Sequence, residues 1–334
     1  MYAITRKLVR DEWNEFVDKH PAGWWWHRNE WLDYSLAYGD CITNDRSWAL
    51  YDNNEVHAIF PCIEEKKSRD AVGRAAMGGT PCAGPLLGEH FTDNADEALM
   101  LLSVESKMLS RPLAWRWSYN NDHVEELVDA LIRRISSNGF NAFRTGWWTS
   151  VVDVDRPEKE RWKNIRKSYK SVINKANKTY DIEWSDDFNS YQKLRRDATN
   201  NCRGNFLTYI HQKRWMDAGF GKIVTAKERG VGNAGESVTP APLQRVTAGA
   251  SPASSTIASA YVIQYKDRAY YASGPSIREN VQAACLWEAM QVVRVPQFEV
   301  GWMAEPDGSA NVEFFKKGFG GRMEPVLVVQ TESW

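Results

Sequence analysis

Ile257-Ala-Ser-Ala-Tyr-Val-Ile-Gln-Tyr-Lys-Asp-Arg-Ala-Tyr-Tyr-Ala-Ser273 carries two strand-forming runs around one turn. Ile257 to Gln264 and Arg268 to Ser273 are rich in β-branched and aromatic residues, and Tyr265-Lys-Asp267 separates them, so they form adjacent strands. Downstream the pattern gives a helix from Ile277 to Val293, a strand from Phe298 to Trp302, a short helix from Ala310 to Lys317 and a last strand from Glu324 to Gln330. Upstream lie a short strand (Asp181 to Trp184), helices from Phe188 to Thr199 and Phe206 to Ala218, and a strand from Lys222 to Lys227. Gly230 to Ser255, rich in Gly, Ala, Ser, Thr and Pro, lacks hydrophobic periodicity and reads as a long flexible loop between two strands.

The first half also interleaves helices and strands. Val9 to His20 and Asn29 to Tyr38 are amphipathic helices; Ser47 to Tyr51 and Glu55 to Glu65 flank Asp52-Asn-Asn54 as a hairpin. A Gly/Pro loop spans Met77 to Pro85, followed by a helix (Glu97 to Leu109), a strand (Pro112 to Tyr119), a helix (Asp122 to Ser137) and a strand (Phe140 to Thr145). The chain therefore reads as α/β (α+β), with mixed, mostly antiparallel sheets flanked by helices. Its 334 residues suit two domains, placed at 1–155 and 156–334. The first half has the character of a decayed copy of the second.

With 42 Lys plus Arg against 43 Asp plus Glu, the net charge of −1 excludes a protein held on nucleic acid or membrane by bulk charge. The charged N-terminal residues do not read as a signal peptide and no window suits a spanning helix, so a soluble, cytoplasmic protein is expected. Five scattered cysteines suggest packed thiols, and the six histidines show no metal spacing, so no metal is expected. The 16 Trp include the run Trp24-Trp-Trp26, which cannot be wholly buried on one face of a regular element. Arg156 to Lys178 breaks the overall neutrality: nine basic residues oppose Glu158 and Glu160, a net of +7. Ile165, Tyr169, Val172, Ile173 and Ala176 fall on one stripe of a basic linker helix, leaving Arg166, Lys167 and Lys170 to the sides as candidate phosphate contacts. Tyr261, Tyr270 and Tyr271 lie on the two central strands; alternation sends Tyr270 and Tyr271 to opposite faces, so one is core and the other faces a cleft.

The order strand, two helices, three strands, helix, strand, helix, strand resembles that of the GNAT acyltransferase fold. Tyr270-Tyr-Ala-Ser-Gly274, Leu286-Trp-Glu-Ala-Met290, Phe298-Glu-Val-Gly301 and Phe315-Lys-Lys-Gly-Phe-Gly-Gly321 resemble the C-terminal half of the Fem-type aminoacyltransferases, which build peptide bridges on peptidoglycan precursors. Asn164-Ile-Arg-Lys167 and Ile173-Asn-Lys-Ala176 are similar to that family's basic junction; Asp11-Glu-Trp-Asn-Glu-Phe16, Trp31-Leu32 and Gly78 to Pro85 look like its first domain. The resemblance implies two GNAT-like domains, here without the coiled-coil arm of some members. It implies an N-acyltransferase moving an amino acid from aminoacyl-tRNA to an amine on a phosphate-bearing cell-wall or sugar precursor. Peripheral contact with a lipid-linked substrate would follow, with no tightly bound cofactor and no DNA partner. Phe315 and Lys316 become the catalytic candidates, Lys316 as the contact to the oxyanion or acceptor phosphate.

That chemistry needs an oxyanion stabiliser, a free amine and positioning, and no nucleophilic side chain. Glu288 or Glu299 could act as base toward the acceptor ammonium. The competing expectation is an acyl-CoA donor. Such enzymes hold pyrophosphate on a Gln/Arg-x-x-Gly-x-Gly/Ala loop. Counting from Arg278, Val281 and Ala283 occupy the two glycine positions here, which weighs against CoA. A non-catalytic module that binds a glycan precursor is the third reading.

Overall fold

The structure is a computed structural model that describes residues 3–5, 10–38, 42–52, 55–66, 76–77, 80–88, 114–118, 122–137, 141–198, 206–229, 256–278, 280–303 and 310–331. Both the segment 230–255 and the helix expected over 97–109 lie outside the described residues. In chain order the elements are β1 (Ala3–Thr5), α1 (Arg10–Lys19), α2 (Asn29–Ala37), β2 (Ile42–Asp45), β3 (Trp48–Asp52), β4 (Glu55–Phe60), β5 (Ile63–Lys66), β6 (Ala76–Met77), β7 (Thr80–Ala83), β8 (Leu86–Leu87), β9 (Ala114–Ser118), α3 (Asp122–Ser137) and β10 (Ala142–Asp153). There follow α4 (Glu158–Asn164), α5 (Lys167–Thr179), β11 (Tyr180–Ser185), α6 (Phe188–Ala198), α7 (Phe206–Asp217), β12 (Gly221–Glu228), β13 (Thr256–Tyr265), β14 (Arg268–Ser273), α8 (Val281–Val292), β15 (Gln297–Met303), α9 (Ala310–Lys317) and β16 (Arg322–Thr331).

A ten-stranded sheet runs in the order β11-β12-β13-β14-β15-β10-β16-β9-β7-β6, beside a four-stranded sheet β1-β3-β4-β8 and the pair β2-β5. Two of its neighbouring pairs are parallel, β14 with β15 and β7 with β9. Between these lie β10 and β16, the last strands of the two halves, and they are exchanged. β10 pairs with β15 of the second half, and β16 pairs with β9 of the first. The expected boundary at residue 155 thus falls just after a strand that is hydrogen-bonded into the other half. Among the described residues the longest helix is α3, with 16 residues, and no coiled coil occurs.

Hydrophobicity explains the layers. β13 is buried at nearly every position, as suits a strand covered on both faces. Its residues Tyr261, Ile263 and Tyr265 join one core with Trp13, Trp25 and Trp215; Ala260 and Val262 join the other, with α5 and the almost wholly apolar α8. Trp24, Trp25 and Trp26 are all buried, because a 3₁₀ turn over Trp25–His27 replaces regular alternation. Trp25 meets Trp215, Phe220 and Tyr265, while Trp24 and Trp26 meet Tyr270 and Trp302, so the run joins the two halves. The 3₁₀ turn is what lets all three rings pack inward, where one face of a regular element could not hold them. Cys62 and Cys285 are buried and join no disulfide.

The basic stretch forms two helices, α4 and α5, where one was expected. Ile165 and Arg166 are extended between them: Ile165 is buried, and Arg166 N–H donates to Gly318 O at 2.9 Å, just beyond α9. Docking on α9 outweighs helix continuation at that point.

Candidate active site

β14 and β15 stay in register over Arg268/Gln297, Ala269/Phe298 and Tyr270/Glu299 and then cease to pair. Each strand carries an extra residue just past that point. In β14, Tyr261 and Val262 of the neighbouring strand face Ser273 and Tyr271, leaving Ala272 over. In β15, Ser150 and Val151 face Gly301 and Glu299, leaving Val300 over. A bulge bends its strand and re-aims its side chains. Gly301 has φ +110°, a conformation open to glycine, and the kink turns Trp302 toward Trp24 and Trp26. The result is a notch floored by Tyr270 and Glu299.

Lys316, from α9, reaches the β15 wall of this notch. Its Nζ donates to the Trp302 carbonyl, and a Cβ on Gly301 would lie 3.3 Å from that Nζ. Burial pushes the Lys316 ammonium down to about 8, against the smaller opposing pulls of Glu299 and Glu313. Glu299 is 1% exposed and accepts from Thr149 Oγ1 at 3.0 Å, Trp302 Nε1 at 2.8 Å and Arg268 at 3.3 Å; Arg268 also meets Glu324 at 3.1 Å. A carboxylate so engaged holds the site's charge and shape. The other carboxylate considered as a base, Glu288, sits on α8, its carboxyl pushed up by burial and then by Glu158.

The remaining candidates separate. Tyr270 is buried on the notch floor, and burial drives its phenol far up. Tyr271 is half-buried on the opposite face, its hydroxyl accepting from Gln282 Nε2 at 3.1 Å. Tyr261 is fully buried, and its hydroxyl donates to Gln212 O at 2.8 Å, so it is a core residue away from the notch. The Phe315 ring packs on Tyr169 and Phe319, on the core side of α9. Arg166 lies across the Phe314 ring at 3.6 Å and donates to Phe314 O at 2.9 Å, two residues from Lys316. Lys167 is exposed at the start of α5, and Lys170 Nζ donates to Lys163 O at 3.0 Å.

The two motifs behind the sequence resemblance, about 150 residues apart, form one packed unit. Besides the Arg166 contacts, a Cβ on Gly318 would fall 2.3 Å from the Tyr169 ring, so only glycine lets α5 approach this closely. Gly318 therefore seats α9 on α5, and that seating aims Lys316.

Four further residues shape the notch without having been candidates for it. Gly301 was readable, since an isolated glycine inside a strand marks a bulge. Trp302, Arg268 and Arg116 gave no local signal. The Arg116 guanidinium is buried 3.1 Å over the Trp302 ring, with Trp24 and Trp26 around it.

At the place of the CoA-type loop, Val281 and Ala283 are buried in the core of α8. The segment after β14 keeps following β13, with Ile277 N–H donating to Ile257 O and Ser259 N–H to Pro275 O. Those amides are engaged within the sheet. Among the described residues no three His, Cys, Asp or Glu converge as metal ligands, and no helix is long and apolar enough to cross a membrane.

No protein-family model matches the chain, and no curated protein matches it in sequence. Solved structures do resemble it. FemX aligns with a TM-score of 0.64 at 11% identity, over 98% of this chain and 96% of FemX. A tandem GNAT protein from the clavulanic acid biosynthesis pathway aligns with a TM-score of 0.52 at 11% identity, over 99% and 98% of the two chains. A C-terminal domain from Agrobacterium fabrum, named for lysylphosphatidylglycerol synthetase, aligns with a TM-score of 0.52 at 11% identity, over 97% and 91%. The fold is thus the double GNAT-like one that FemX shares. At these identities the likeness concerns the fold.

Proposed function

We propose that the chain is an N-acyltransferase that moves an amino acid from aminoacyl-tRNA to an amine on a phosphate-bearing cell-wall or sugar precursor. The observation that carries this reading is Lys316, half-buried at the divergence of two parallel strands and tied to the Trp302 carbonyl, with two N–H donors left over among the described residues. The acceptor nitrogen attacks the ester carbonyl, the C–N bond forms, the C–O bond to the ribose breaks, and the proton lost by the amine ends on the leaving hydroxyl. Negative charge gathers first on the carbonyl oxygen and then on the leaving oxygen. An ammonium fixed nearby stabilises both, and removing one such donor typically costs 10²–10³ in rate.

The buried Val281 and Ala283 favour RNA over CoA as the donor, since a CoA loop needs backbone open to pyrophosphate. The acyl-CoA alternative, in surface-polysaccharide or small-molecule biosynthesis, is favoured by the likeness to a tandem GNAT protein. A cytoplasmic site of action and transient contact with a lipid-linked acceptor belong to the same proposal. The test offers purified protein acetyl-CoA, longer acyl-CoAs and a charged-tRNA mixture, with amine-bearing nucleotide-sugar and muropeptide acceptors, and detects products by mass spectrometry. Transfer from charged tRNA alone is expected; saturable transfer from a CoA ester would reverse the donor assignment.

A further inference from the structure

A cavity of about 150 Å³ opens past the point where β10 faces the β15 bulge, lined by Val151, Val152, Asp153, Arg156, Arg161, Asn164, Phe319, Gly320 and Arg322. Three arginines reach it from separate places: the turn after β10, helix α4 and the start of β16. Arg161 is 92% buried, its guanidinium 5.5 Å from the centre of the Trp287 ring and donating to Arg156 O, Met290 O and Gln291 Oε1, which uses three of five donors. Asp153 pairs with Arg156 at 2.9 Å and with Arg322, and Arg322 also reaches Glu324 at 2.6 Å. Of the residues lining the cavity, Asp153 alone is acidic. A carboxylate holding two arginines in place beside a third leaves a preformed positive cavity, and guanidinium forks suit phosphate oxygens.

Its position narrows the ligand. Ser150 faces Gly301, against which Lys316 sits, while Val151 to Asp153 line the cavity, so its centre is about 10 Å from the reacting group at strand spacing. The cavity also opens at the start of the basic stretch, where Lys159, Lys163, Lys167, Lys175 and Lys178 stay exposed along α4 and α5. A single phosphate near the reacting ester, with further phosphates leading away over lysines, describes the end of an RNA strand.

The geometry points to Arg156, Arg161 and Arg322 as the site for the phosphate on the 5′ side of the donor's terminal nucleoside. This rests on the RNA-donor reading above and adds residues that it did not include.

The probe is 5′-AMP, compared with adenosine and inorganic pyrophosphate by calorimetry on the full chain. AMP should bind at least tenfold more tightly than adenosine, and Arg156→Ala and Arg322→Ala should each weaken AMP by tenfold or more while leaving adenosine unchanged. Arg322→Gln, which keeps a polar partner for Glu324, is the second variant should Arg322→Ala misfold. Equal binding of AMP and adenosine, AMP affinity untouched by the arginine variants, or an arginine-dependent preference for pyrophosphate over AMP would each overturn the assignment. The two readings fail separately. Arginine-dependent AMP binding without transfer from charged tRNA sinks the donor proposal, whereas tRNA-dependent transfer indifferent to the arginines sinks this one.

Discussion

Lys316 donates to the backbone carbonyl of Trp302, the same residue whose indole N–H donates to the buried Glu299 at 2.8 Å. One tryptophan therefore ties the Lys316 ammonium to the carboxylate on the notch floor. If the Lys316 ammonium stabilises the developing oxyanion, Lys316→Ala should lower kcat by 10²–10³ with little change in KM. Single-turnover kinetics at saturating donor check this; a variant that keeps wild-type kcat removes Lys316 from the chemistry.

In that role the depressed Lys316 ammonium should also set the pH profile. It is charged below about 8, so the rate should fall as pH rises through that value. Loss of the acceptor's own proton works in the other direction and gives the acid limb. Lys316→Arg, charged throughout, should be slower but lack the alkaline limb, and an unchanged limb in that variant would assign it to another group.

Glu299 raises the Lys316 ammonium against burial. Glu299→Gln should shift the alkaline limb downward. It should also cost about 3–5 kcal/mol in stability, the usual result of breaking a buried ion pair from one side. Arg268 would keep Glu324 as its carboxylate partner, together with its two hydrogen bonds to Gln297 Oε1. Urea melts measure the stability change and the pH profile reports the limb; a stability loss with no shift of the limb would leave Glu299 a purely structural residue.

The second half was legible because β13, β14, α8 and β15 each follow a local pattern. The notch between β14 and β15 was not, since bulges at Ala272 and Val300 arise from mismatch with neighbouring strands. Nor was the exchange of β10 and β16, which depends on pairing across about 180 residues. β10 runs to Asp153, well past the strand expected over Phe140 to Thr145. Lys316 stands in a motif whose Gly318 serves packing against Tyr169. Charge pattern pointed to Arg166, Lys167 and Lys170, whereas the convergence of Arg156 and Arg161 with Arg322 exists only in three dimensions.

That packing role predicts compensation. Gly318→Ala should destabilise the chain by about 1–3 kcal/mol through overpacking against Tyr169, and Tyr169→Leu in the same chain should recover a large part. A double-mutant cycle by denaturant unfolding measures the coupling. Additive losses would mean that α5 and α9 do not depend on this contact.

His27 gives stability its own pH dependence. It is 1% exposed; Nδ1 accepts from Trp24 N–H at 3.2 Å, and Nε2 lies 3.0 Å from Gly84 O as the donor, an arrangement that needs the neutral ring. Burial pushes its pKa down to about 3, from 6.5 when unfolded. Above pH 6.5 both states are neutral and the full stability is present. As pH falls below 6.5 the unfolded chain takes up a proton that the folded chain refuses, so about 1.4 kcal/mol should be lost per pH unit until about pH 3. Urea melts at pH 7 and pH 5 should therefore differ by about 2 kcal/mol from this residue, a difference that His27→Gln should abolish. If the variant keeps the full slope, other groups carry the acid sensitivity and the Trp24 to His27 turn does not depend on the proton state of its histidine.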